Sequence, residues 1–103
     1  MPRFNVEHNG KWACYSTISE SFVTSFMAKI DYEEWRIREY GRINYVPAER
    51  SNIMTIAEAV ASASLNKEKA DVIASLVGEA GLSQSEAEEL WEKYRDGEKN
   101  DAN

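Results

Sequence analysis

Four stretches of this chain match the capping box. In that motif a short oxygen side chain accepts from the third helical N–H, and a glutamate reaches back to the N–H of the cap. The matches begin at Thr17, Asp31, Thr55 and Ser83 and end at Glu20, Glu34, Glu58 and Glu86. Asn66, ahead of Lys67 and Glu68, is a plain cap without the box. Five start signals within 103 residues restrict the chain to short helices with frequent changes of direction. They locate elements and carry no chemistry.

The apolar spacing fills in those elements. Ile18, Phe22 and Phe26, with Val23 and Met27 beside them, predict a helix over 18–27. The rival reading is a continued strand, because Thr17, Ile18, Val23 and Thr24 are β-branched. A second helix is expected over 32–40, with an Ile30–Trp35 staple, a Glu34–Arg38 pair and Gly41 as its stop. The third should start after Thr55 and run to about Leu65, burying Ile56, Ala59, Val60 and Ala63. The fourth, capped by Asn66, should turn Ala70, Ile73, Leu76, Val77 and Ala80 inward and stop at Gly81. Gly78 inside it costs about 1 kcal/mol relative to alanine, so close approach of a neighbouring helix is expected there. The fifth, capped by Ser83, should bury Ala87, Leu90, Trp91 and Tyr94 and stop at Gly97.

Ahead of the helices, Arg3 to His8 and Lys11 to Ser16 flank Asn9-Gly10. Asn-Gly suits a two-residue hairpin turn, which needs positive φ at both positions. Pairing His8 with Lys11 sets Val6 opposite Ala13 and Phe4 opposite Tyr15 on one face. Trp12 and Cys14 then face the other way, so either both faces are covered or Trp12 is partly exposed. Arg42 to Val46, before Pro47, reads as a short third strand, and 48–53 as a connector. The expected fold is α+β: an antiparallel hairpin or three-stranded sheet with two helices, then a three-helix C-terminal segment. Residues 1–97 are expected to form one domain, with sub-regions 1–47 and 54–97, and 98–103 a frayed polar tail.

Composition excludes several functions. With Cys14 as the one cysteine, no internal disulfide can form, which fits a reducing compartment. No apolar run approaches the ~20 residues needed to cross a bilayer, and the first residues lack a secretory h-region. The expectation is a cytoplasmic protein without membrane contact. The net charge is −6, and residues 51–103 hold all of it, while 1–50 are balanced. Nine of the eleven aromatic residues lie before position 46.

No catalytic constellation emerges. His8, the single histidine, sits beside a turn tip and is expected to be a solvent-exposed strand end. Cys14 has no zinc partner and no nearby feature that would activate it, so sheet packing is expected. The glycines form no phosphate-binding fingerprint. Glu86, Glu88, Glu89 and Glu92 crowd the last helix and make an acidic surface, read as solvated or partner-binding rather than as a metal site. No enzyme activity, cofactor or metal is expected.

Residues 70–94 resemble a helix-turn-helix in outline, through an alanine-rich helix, the turn Ala80-Gly81-Leu82-Ser83 and a second helix. They also loosely resemble the ubiquitin-associated three-helix module. The DNA-binding version would require a basic recognition helix, and Glu86, Glu88, Glu89 and Glu92 oppose it. The ubiquitin-binding version lacks the usual loop at Glu79-Ala80-Gly81-Leu82.

The strongest candidate surface lies on 32–40. Tyr32, Arg36 and Tyr40 share one helix face with Trp35 alongside, and Arg38 and Arg42 add positive charge. Trp, Tyr and Arg are the types enriched at binding hot spots. The functional expectation is therefore a small acidic protein-interaction module, an accessory or inhibitor protein. It would bind a protein partner through Tyr32, Trp35, Arg36, Tyr40 and Arg42. The alternatives are a nucleic-acid mimic acting through the acidic last helix and, further off, nucleic-acid binding by the N-terminal half. Neither the partner nor the oligomeric state is legible.

Overall fold

The structure, a computed structural model, describes residues 3–95. Strands β1 (Arg3–His8) and β2 (Lys11–Ser16) form the expected hairpin. Asn9 and Gly10 take φ of 55° and 79°, the positive values that such a turn requires. The register sets Val6 against Ala13 and Phe4 against Tyr15, as alternation and the turn predict.

The sheet then departs from expectation. It has four strands in the order β3-β2-β1-β4. Strand β3 (Ser21–Phe22) is antiparallel to β2, and β4 (Ile53–Thr55) runs parallel to β1. The expected third strand, Arg42 to Val46, is an exposed loop with Asn44 at φ 65°. The reason lies in Asn5. Its side-chain amide donates to the carbonyls of Ala48 and Ser51, and its backbone N–H donates to Asn52. These bonds hold the later segment beside β1 and leave 42–46 outside the sheet.

No helix forms over 18–27. Ser16 Oγ accepts from the N–H groups of Ile18 and Ser19, and Glu20 takes φ 54°, so the chain makes a tight turn. The Glu20 carboxylate cannot complete a capping box because it accepts from Tyr15, Ser62 and Asn66. The following residues stay extended along β2, where Met27 exchanges backbone hydrogen bonds with Trp12. The strand reading was the better physical account. Phe22 and Phe26 still pack inward, while Ile18 is 79% exposed.

Helix α1 (Lys29–Tyr40) begins earlier than its capping box implies, with Ala28 at the cap position. Extended pairing ends at Met27, so the chain can turn at once. Lys29 then pairs with Glu33 and Glu49, while Ile30 is exposed and makes no staple. The ion pairs between residues within this helix run through Glu33 rather than through Glu34 and Arg38. Gly41 ends it at φ 90°, its N–H donating to Ile37.

The second half follows the sequence more closely. Helix α2 (Ile56–Asn66) has both halves of its capping box and buries Ile56, Ala59, Val60 and Ala63. Asn66 is absorbed into α2 and gives its amide to Glu20, so α3 (Lys69–Ala74) starts from Glu68 without a side-chain cap. Ala70 is exposed and Val72 takes the inward place. A π turn over Ser75–Glu79 follows, and Gly81 at φ 82° ends the segment. A Cβ on Gly78 would meet nothing within 4 Å, so no neighbouring helix explains that glycine. Helix α4 (Gln84–Tyr94) is capped by Ser83, and Ala87, Leu90 and Trp91 are buried. The expected Gly97 stop and the 98–103 tail lie outside the described residues.

Both faces of the sheet are covered. Val6, Ala13, Tyr15 and Phe22 join α2, α3 and α4 in one core. Cys14 joins Tyr32 of α1 and Ala48 in another, flanked by Trp12, Met27 and Trp35. The layout is thus a mixed sheet between one helix and three. Among the described residues no helix is long and apolar enough to cross a membrane.

Candidate functional site

The five residues expected to form one exposed surface divide into support and rim. Tyr32 is fully buried. Its ring stacks between Trp12 and Trp35, with centroids 6.3 Å and 5.7 Å away, and its hydroxyl donates to Asn5 Oδ1. The helix wheel identifies the residues that share a face. The sheet decides that this face points inward at Tyr32. Trp35 is half-buried, with the ring of Tyr40 edge-on to it at 5.9 Å.

Arg36 is partly buried and acts as a clasp. Its Nη1 donates to Glu33 Oε1 and to the carbonyl of Val46, each at 2.7 Å, and its guanidinium lies 5.8 Å from the centroid of Tyr45. Glu33 also accepts from the backbone N–H of Ala48 at 2.7 Å. Burial works against its charge, but the Ala48 N–H and the Arg36 guanidinium outweigh that and hold its pKa below the ordinary value. Helix α1 is thereby tied to the end of the exposed loop at Val46 and to Ala48 just after it. Arg42 stands exposed at the start of that loop.

Helix α1 does not cover the whole sheet face. Beyond Tyr40 the roof is the loop 41–46, and beneath it lies a cavity of about 290 Å³. Asn5 and Cys14 belong to its floor, Arg3, Arg36 and Tyr40 to its walls, and Ile43, Tyr45 and Val46 to its lip. Arg3 Nη1 donates to the Tyr40 hydroxyl at 3.1 Å and to Glu39 at 3.3 Å. Ile43 is 86% exposed, and Tyr45 and Val46 are open to solvent as well. Burial raises the pKa of Cys14, with the charges of Arg3 and Arg36 pulling the other way. The thiol is therefore neutral near neutral pH and is not an activated nucleophile. The arrangement offers a mostly apolar entrance, an uncharged floor and two arginines in the lining. Such a site can bind and orient a ligand.

The acidic surface is less uniform than the sequence suggests. Glu86 Oε2 lies 2.9 Å from His8 Nε2 and accepts from Asn9, which explains why it leaves the Ser83 capping box half-made. His8, expected to be exposed, keeps only 17% of its side chain accessible and packs its ring on Phe26. Glu92 pairs with Lys69, and Glu88 accepts from Gln84, while Glu88 and Glu89 face solvent. Among the described residues, no group of three or more acidic, histidine or cysteine side chains could hold a metal ion.

Of the residues singled out from the sequence, Arg36 and Tyr40 line the cavity and Arg42 does not, while Arg3 and the lip residues were not among them. The signal for the lip was present. Asn44 tolerates positive φ, and Gly41 and Pro47 bracket the segment as turn residues. Compared with known proteins, the chain matches no family model, no curated protein and no solved structure.

Proposed function

We propose that this chain is a protein-interaction module that receives its partner at the C-terminal end of α1, around the cavity roofed by the loop 41–46. The observation that carries this reading is the exposure of Ile43, Tyr45 and Val46 beside an open cavity that Arg3 and Arg36 flank. Clustered apolar and aromatic side chains at a pocket mouth are an interaction signature where scattered ones are not. Tyr40, Arg36 and Arg42 remain in the contact surface. Tyr32 and Trp35 support it from below. The acidic helix draws less support as a nucleic-acid mimic, because Glu86 and Glu92 already have partners within the chain.

The test is affinity capture from native lysate with the wild-type chain and with Ile43→Asp, both treated with nuclease. Ile43 is exposed, so the substitution should change stability by no more than about 0.5 kcal/mol. The expected result is a protein captured by the wild type and lost with the variant at unchanged thermal stability. Equal capture by both chains overturns the assignment of this surface.

A further inference from the structure

We propose that the cavity takes the C-terminal residue of the partner chain, its carboxylate held by Arg3 and Arg36 and its apolar or aromatic side chain against Ile43 and Tyr45. This inference rests on the interaction reading above and names the part of the partner that enters.

Size limits the occupant first. At about 290 Å³ the cavity sits at the lower edge of small-ligand sites, which begin near ~300 Å³. That suits one large residue and excludes a helix or a folded loop. The closed end limits it next. Asn5 and Cys14 are buried in paired strands of the sheet, so a chain that enters cannot pass through and must stop. A chain end meets that condition with one residue, whereas the middle of a peptide would have to enter and leave by the same mouth.

Charge then selects the terminal group. Arg3 and Arg36 both line this one cavity. Each is already paired with one carboxylate, Arg3 with Glu39 at 3.3 Å and Arg36 with Glu33 at 2.7 Å. Neither glutamate lines the cavity, whose charged lining among the described residues is the two arginines, and the partial neutralisation disfavours a phosphate dianion more than a monoanionic carboxylate. The hydrogen bonds of both arginines to described residues leave through Nη1. The other guanidinium N–H groups have the fork geometry that matches a carboxylate. The Tyr45 ring, within reach of Arg36, supplies a flat apolar wall beside that fork.

The experiment is a titration of the whole chain followed by amide NMR, with four probes. They are N-acetyl-phenylalanine, its primary amide, a hexapeptide ending in phenylalanine as the free acid, and inorganic phosphate. Saturable shifts at Cys14, Tyr40 and Tyr45 are expected with both free acids. The amide should bind about tenfold more weakly, because it forfeits the charge-assisted bonds. Phosphate should not saturate. Arg3→Gln, which removes a partly exposed ion pair and the exposed hydrogen bond to Tyr40, should lower acid affinity by about tenfold while the spectrum away from the cavity is preserved. Equal binding of acid and amide, saturation by phosphate, or no saturable shift with either acid overturns the proposal. If the acids fail while Ile43→Asp still abolishes capture, the interaction surface stands and the chain-end inference falls. If the acids bind and capture ignores Ile43→Asp, the pocket stands and the partner reading falls.

Discussion

The two faces of the sheet are built from different materials. On the bundle face, Val6, Ala13, Tyr15 and Phe22 meet three helices that contribute mainly Ala, Val, Ile and Leu. Small and branched side chains let those helices come close and fill the space. On the opposite face a single helix lays down a stack of aromatic rings, Trp12 to Tyr32 to Trp35. That stack is wide but short, so ion pairs and a loop finish the layer and a cavity remains at its end. The contrast teaches where a small fold can keep an opening. One face closes by apolar burial, and the other closes incompletely because polar clasps hold it.

Truncation should separate the faces most clearly. Leu76→Ala, in the centre of the bundle core, should cost about 2–5 kcal/mol in chemical denaturation. Tyr32→Phe keeps the ring stack but leaves the buried Asn5 Oδ1 without its donor, a cost of about 1–3 kcal/mol. A loss from Tyr32→Phe as large as that from Leu76→Ala would mean that the polar face carries as much of the stability as the bundle.

Acid should sharpen the comparison, because Glu33 clasps the face that α1 covers. The folded pKa of Glu33 is depressed, so its stabilisation is fully present above its unfolded value. It drains as pH falls below about 4.5 and through the folded value. Glu33→Gln should cost about 1 kcal/mol at neutral pH and flatten the acid limb of the stability profile. An unchanged acid limb in denaturant midpoints would show that Glu33 does not clasp the loop in solution. The smallest expected effect lies on the bundle side. Gly78 has open space at its Cβ and no positive φ, so Gly78→Ala should stabilise by about 0.4–1 kcal/mol. A loss of stability instead would mean that the π turn needs glycine.

Much of the bundle was legible because its determinants are local. Thr55 and Ser83 cap the helices they precede, and the stripe Ile56, Ala59, Val60, Ala63 is buried as spaced. The hairpin register followed from Asn9-Gly10 for the same reason. Errors gathered where a residue answers to a distant partner. Glu20 fits a capping box by sequence, but Tyr15, Ser62 and Asn66 claim its carboxylate. Nothing in Ile53-Met54-Thr55 announces β1 as a neighbour, and Asn5, far away in the chain, makes the choice. The site divides along the same line. Arg36 and Tyr40 were found from composition and helix spacing. Arg3 comes from the start of β1, far away in the chain, and joins them only in three dimensions.

The parallel pairing of β1 with β4 has a kinetic consequence. Val6 must meet Met54 across nearly half the chain, whereas the hairpin closes over two turn residues. Closing long loops costs entropy before any contact repays it, so this pairing should form late in folding. Ser51 and Asn52, at the entry to β4, also border the cavity. The cavity is therefore complete only once the last strand has docked. An occupant that recognises the finished cavity binds the native chain alone, and by mass action its concentration would raise the melting temperature of the whole molecule.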